Sequence, residues 1–207
     1  MSILPQVTTD TLMTQAAWAP SRSLESEVVR LRRLVEEQAG LIATLQQHAL
    51  QDPLTGALNR RGFEAALRDV VSDYRRYGRP CAVLVLDMNG FKHINDTLGH
   101  AAGDALLQHL TRILHQYTRE SDVVARTGGD EFTVILREND EATARRKARE
   151  LETVLALTPC AIGALEIAVH ASIGCAALED ADNVDDWLAT ADAEMYARKK
   201  AMKLGAE

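Results

Sequence analysis

Arg126-Thr127-Gly128-Gly129-Asp130-Glu131-Phe132 is the stretch on which the reading of the chain turns. Asp122 to Thr127 and Glu131 to Leu136 both read as strands. The two glycines between them predict a tight two-residue hairpin turn at positive φ, which glycine adopts without steric cost. A turn alone leaves the adjacent carboxylates Asp130 and Glu131 unexplained. Asp is poor in strands, and neighbouring acids repel, so the pair points to a divalent cation that holds them. Glycine at the turn also lets a bulky ligand approach the backbone. The blander alternative is a plain hairpin whose acids are simply solvated.

Upstream, Cys81 to Leu86 is a continuous apolar run that ends in Asp87. A strand buried on both faces reads this way, and its carboxyl end is where a charged side chain can emerge to meet a ligand. Asp87-Met88-Asn89-Gly90-Phe91-Lys92-His93-Ile94-Asn95-Asp96 then packs an acid, an amine and amides into one turn or short helix. Leu106, Leu107, Leu110, Ile113, Leu114 and Tyr117 mark an amphipathic helix, with Asp104 near its start as a cap or as a ligand group. Ala144, Ala148, Leu151 and Leu155 mark another helix. Ile167, Val169, Ala171 and Ile173 alternate as a strand, and Val184, Trp187, Leu188, Ala191 and Met195 mark a last helix. Strand, helix, hairpin, helix, strand is βαββαβ, an α+β, ferredoxin-like sheet expected to carry its helices on one face.

The N-terminal part is different in kind. Residues 1–22 lack any sustained period and read as a flexible arm. From Leu24 a heptad repeat sets in, with spacings of four and three: Leu24, Val28, Leu31, Val35, Gln38, Ile42, Leu45 and Ala49. With Val28, Val35, Ile42 and Ala49 at a, Leu24, Leu31 and Leu45 at d, and the polar Gln38 weakening the seam at one d position, residues 23–50 predict a parallel two-stranded coiled coil and hence a homodimer. A single amphipathic helix packed on its own domain is the alternative. Pro53 and Gly56 interrupt the helix and make a joint, leaving residues 51–207 as the folded domain.

At 207 residues and a formal charge of -7, the chain supports one cored domain plus an extension, and its spread of acidic charge argues against nucleic-acid binding. Cys81, Cys160 and Cys175 lack metal-ligand spacing and read as buried thiols in a reducing compartment. With neither an apolar run of membrane-spanning length nor a signal-peptide pattern, a cytoplasmic protein without membrane contact is expected.

Taken together, these segments resemble the GGDEF family of diguanylate cyclases. Gly128 to Phe132 matches its signature letter for letter, and Asp52 to Arg60 resembles its D-x-L-T-G-L-x-N-R lead-in. Asp87 to Asp96 resembles D-x-D-x-F-K-x-x-N-D, with Asn89 in place of the second Asp. Ala191 to Lys203 resembles A-D-x-A-L-Y-x-A-K-x-x-G-R, with Met202-Lys203 in place of Gly-Arg. A lysine there keeps the charge and loses bidentate geometry. Arg119-Glu120-Ser121-Asp122 matches the family's R-x-x-D inhibitory site.

The resemblance, from about Asp52 to Lys203, implies a palm-type domain that condenses two GTP into cyclic di-GMP. It implies Mg²⁺ or Mn²⁺ at Asp87, Met88, Asp130 and Glu131, and catalytic roles for Asp130, Glu131 and Lys92. Phe91, Asn95, Asp104, Gly128, Gly129, Lys199 and Lys203 become substrate contacts, with guanine at Asn95 and Asp104. Product would bind and inhibit at Arg119 and Asp122. Two other readings stand beside it. A silent receptor would bind cyclic di-GMP and act through its coil, and Asn89 and Met202-Lys203 favour it. A synthase of a mixed guanine–adenine dinucleotide is disfavoured by Asp104, whose carboxylate accepts from guanine N1 and N2.

Overall fold

The computed structural model describes residues 21–179 and 183–204. The chain divides between Gln46 and Gln47 into two units, each described by itself. The first is built on helix α1, Ser21–Leu50, which begins just inside the expected arm. Arg30 pairs with Glu27 and Arg33 with Glu37 along it, as charges three and four apart on a helix can. Val28, Leu31, Val35 and Ile42, four of the predicted seam positions, are all exposed in the single chain.

In the second unit, the segment after α1 folds into a turn: Gly56, at φ 75°, and Asp52 close it through Gly56 N–H to Asp52 O and Asp52 N–H to Ala57 O. Asn59 then caps helix α2, Arg60–Tyr77, by accepting from Gly62 N–H, and Gly78 ends it in the left-handed conformation at φ 63°. Strand β1 runs Cys81–Met88, followed by α3, Phe91–Leu98, and α4, His100–Tyr117. Strands β2, Val123–Arg126, and β3, Glu131–Arg137, form the hairpin, and α5 spans Glu141–Leu157. A small hairpin of β4, Cys160–Ile162, and β5, Leu165–Ile167, precedes β6, Ala171–Ala177, and α6, Val184–Leu204.

The main sheet has the order β2-β3-β1-β6 with all neighbours antiparallel, which is the expected ferredoxin-like arrangement. Its helices cover both faces rather than one. Leu84, Leu86 and Phe132 join Leu106, Leu110, Ala148 and Leu151 from α4 and α5 in one core. Val83 and Ile135, on the opposite face, pack with Phe63 and Val70 of α2 and Trp187 and Ala191 of α6. Doubly buried β1 requires this: its apolar residues do not alternate with polar ones, so either face left bare would cost hydrophobic burial.

The strand expected across 167–173 is two strands, β5 and β6, belonging to different sheets. Helix α6 lies so close to β6 that a Cβ at Gly174 would fall on the Ala191 carbonyl and the Met195 amide. Trp187 Nε1 of the same helix donates to Ala176 O at 2.9 Å, and Cys175 N–H of β6 donates to Glu194 Oε2 at 3.4 Å. All three cysteines are buried and free, and burial pushes the Cys81 and Cys175 thiols up to about 11. Among the described residues no helix is long and apolar enough to cross a membrane.

Candidate active site

The register of the sheet assembles the site. Asp87, near the carboxyl end of β1, pairs with Glu131 of β3 on one side and Ser172 of β6 on the other, so the three side chains form a row on the face covered by α6. Asp87 is 6% exposed, the most deeply buried acid of the row, while Glu131 is exposed and Asp130 half-buried. Met88 N–H donates to Asp130 O at 3.3 Å, which ties the backbone of the β2–β3 turn to the end of β1. The Met88 side chain is buried in the core, so only its main-chain oxygen could serve a hard cation.

Lys199, from the penultimate turn of α6, places Nζ 2.5 Å from Asp87 Oδ1. Two predicted residues, a metal acid and a phosphate cation, are thus brought together across 112 positions of sequence. Among the described residues, no three His, Cys, Asp or Glu side chains are grouped to hold an ion. The register nevertheless sets the oxygens of Asp87, Glu131 and Ser172 side by side, and oxygen ligands are what Mg²⁺ or Mn²⁺ prefers. Lys203 lies on the same helix, but its side chain falls outside the described residues.

The turn itself departs from expectation. Neither Gly128 nor Gly129 has positive φ, and Thr127 to Asp130 make a wider loop in which Thr127 N–H and Gly128 N–H both donate to Glu131 O. Gly128 makes room instead for a side chain: a Cβ there would lie 2.6 Å from Glu131 Oε2, which would have to move aside. Arg126 holds this loop from below. Its Nε and Nη2 donate to Gly129 O at 3.1 and 2.7 Å, while Nη1 donates to both carboxylate oxygens of Asp52 at 3.1 and 3.2 Å. Sequence reasoning missed this role, although an arginine entering a turn with two acids was a visible signal.

Burial alone would raise the pKa of Asp52, but the Thr55 hydroxyl and N–H and the Arg126 guanidinium outweigh it and hold the carboxyl below its ordinary value. A depressed folded-state pKa gives stability that is present above the unfolded pKa of about 3.9 and lost as pH falls through the folded value. Wild type is therefore expected to be more stable than Asp52→Asn at neutral pH, with the gap closing in acid. Urea titrations of both proteins from pH 7 to pH 3 check this; a gap that stays constant would contradict it.

A second cluster forms where α3 meets α4. Asn95 Oδ1 is buried without a hydrogen-bond partner, and a Cβ at Gly103 would fall directly on it. Asp104 follows, exposed and one turn into α4, so it does not cap the helix. An orphan acceptor beside an exposed carboxylate is suited to a ligand edge that presents N–H groups. Phe91, half-buried, and Lys92, exposed, stand at the first turn of α3.

Arg119 and Asp122 lie elsewhere, on a cleft of about 170 Å³ that Arg146 and Lys147 also line. Both Asp122 oxygens accept main-chain N–H groups, from Arg119 at 2.8 Å and Arg137 at 3.0 Å.

A family model described as "Diguanylate cyclase, GGDEF domain" matches residues 49–204. The diguanylate cyclase DosC of Escherichia coli K12 is 32% identical over 181 residues, covering 86% of this chain and 38% of that protein. The chain spans less than half the length of the curated relatives it matches. A microbial GGDEF domain solved with cyclic di-GMP is 39% identical with a TM-score of 0.65, over 76% of this chain and 94% of that one. The coiled coil and GGDEF domain of DgcB from Caulobacter crescentus, also solved with cyclic di-GMP, superposes with a TM-score of 0.80 at 23% identity over 87% of this chain and 96% of that one, a likeness of fold.

Proposed function

Because the chain belongs to the GGDEF family of diguanylate cyclase domains, we propose that it condenses two GTP into cyclic di-GMP and two pyrophosphates, as a homodimer. Each domain holds one nucleotide. Guanine N1–H and N2–H meet Asn95 Oδ1 and the Asp104 carboxylate, which adenine could not satisfy, and Phe91 lines the pocket. Gly128 and Gly129 leave room for the nucleotide against the turn backbone. Lys92, Lys199 and Lys203 neutralise the triphosphate. Asp87, Asp130, Glu131 and the Met88 carbonyl would hold Mg²⁺ or Mn²⁺, which supplies activation of the 3'-hydroxyl and charge neutralisation at the α-phosphate. In each half-reaction a 3'-oxygen of one nucleotide bonds to the α-phosphorus of the other, the hydroxyl proton departs and pyrophosphate leaves.

The product is two-fold symmetric, so two domains must face each other, and a C2 dimer brought together by residues 23–50 is the natural arrangement. The observation that carries the reading is the meeting of Asp87, Glu131 and Lys199, from three distant segments, at one sheet end. Incubating the purified chain with GTP and Mg²⁺ and identifying the products tests it: cyclic di-GMP with pyrophosphate is expected. Product binding by titration without turnover would favour the receptor instead.

Cyclic di-GMP binds back at Arg119 and Asp122 and inhibits. Five residues separate Asp122 from Gly128, about 17 Å of extended chain, so inhibition acts at a distance. Arg119→Ala is expected to weaken product affinity by roughly tenfold or more, since a charge-assisted contact to the base is lost. Inhibition curves for wild type and variant decide; coincident curves would remove the assignment.

A further inference from the structure

Two positions at which this chain departs from the motifs it otherwise matches, Asn89 and Met202, touch each other. Asn89 Nδ2 donates to Met202 Sδ at 3.2 Å, and Asn89 Oδ1 accepts from Ser172 Oγ at 3.0 Å. The Ser172 hydroxyl also lies 3.7 Å from the thioether, and the serine is 1% exposed. We propose that Asn89 and Met202 are a matched pair of positioning residues that fix the last turns of α6 over the end of β1, and thereby set where Lys199 meets the phosphates of the nucleotide. The proposal rests on the reading of Asp87 and Lys199 given above.

The geometry of α6 supplies the reason. Met195, Lys199 and Met202 are four and three residues apart and so share one face. Met195 closes on Gly174, Lys199 reaches Asp87, and Met202 reaches Ser172 and Asn89. Asp87 and Ser172 are cross-strand partners, and Asn89, two residues beyond Asp87, projects to the same side. Among the described residues, Met202 is therefore a contact that holds the helix beyond Lys199, where a terminal turn otherwise frays. Arg198, four residues before Met202, pairs with Glu152 and adds a second anchor next to this face.

Chemistry explains why the two departures go together. Position 89 must accept from the serine hydroxyl and donate to sulfur at once. A carboxamide does both, whereas a carboxylate only accepts and would set a second negative charge beside Asp87. The thioether in turn is a weak acceptor on a flexible side chain, able to reach the amide without demanding strict geometry. Asp at 89 opposite Met202, or Gly at 202 opposite Asn89, would leave either residue without its counterpart.

The test is a double-mutant cycle on the full chain with Asn89→Ala, Met202→Ala and both, reading kcat and KM for GTP and the affinity for α,β-methylene-GTP with Mg²⁺ by calorimetry. Each single substitution is expected to raise KM and weaken the analogue by roughly fivefold with little change in kcat, and the double variant to be no worse than either. Asn89→Asp should reproduce the loss of Asn89→Ala, because it too lacks the donor. Strictly additive effects, or an unmoved KM and analogue affinity in folded variants, overturn the pairing while leaving the cyclase reading intact. A wild-type chain that neither binds the analogue nor turns GTP over removes the cyclase reading, and the pairing falls with it.

Discussion

Asp87→Asn is expected to fold normally and to lose GTP turnover by about 10³-fold or more, on the scale of removing one preorganised electrostatic partner from a reaction centre. The substitution keeps the size of the side chain and can still accept from Lys199, so the fold should tolerate it better than Asp87→Ala, which would strand a half-buried ammonium against β1. What it removes is a full negative charge at the one acid of the row that is almost completely buried. There a charge acts with little solvent screening and cannot be replaced by water. Matching thermal unfolding and far-ultraviolet spectra, together with product quantification at saturating GTP, separate lost chemistry from lost structure. A variant that retains more than a tenth of the wild-type rate would remove Asp87 from the reaction centre.

The second large effect concerns association. Leu31→Asp with Ile42→Asp is expected to convert a dimer into a monomer, because each change places a charge in the seam of the proposed coil. Both residues are exposed in the single chain, Leu31 at 48% and Ile42 at 55%, so the unpaired helix loses nothing by the change and the second unit keeps its own core. Tethering by a short dimeriser corresponds to an effective concentration in roughly the millimolar range. At micromolar protein, the rate per domain should then fall on the order of 10³-fold and rise with protein concentration, as a bimolecular encounter requires. Light scattering and initial rates over a range of dilutions measure both. A variant that stays dimeric and equally fast when dilute would assign α1 to a different partner.

How much of this was legible beforehand depends on the range of the interaction concerned. Apolar periodicity is local, and it located β1, α2, α4, α5 and α6 together with the joint after α1. The same uninterrupted run, Cys81 to Leu86, already demanded cover on both faces, and only the βαββαβ topology had suggested one. Hairpin β4–β5 was missed because strands of three residues cannot display a period, although Gly163 at φ 61° marks its turn. At the site, residue types announced Asp87, Asp130 and Glu131 separately, and only the family resemblance pointed to Lys199. Their pairing depends on sheet register and on how α6 crosses β6, the latter joining Lys199 to Asp87 across 112 positions, and neither leaves a local trace. Gly128 shows a different limit. Glycine was expected there for its backbone freedom, whereas the structure uses its missing side chain, to admit Glu131.

Arg126 has a mechanical consequence. Its guanidinium is a flat, stiff plate with Asp52 on one edge and the Gly129 carbonyl on the other, so it works as a spacer of fixed length between the chain just after α1 and the loop bearing Asp130 and Glu131. Movement of residues 52–53 by more than a hydrogen bond can stretch must drag Gly129 with it or tear the plate from one of its moorings. Within the second unit, residue 52 and the loop are thus joined by a strut rather than by a hinge.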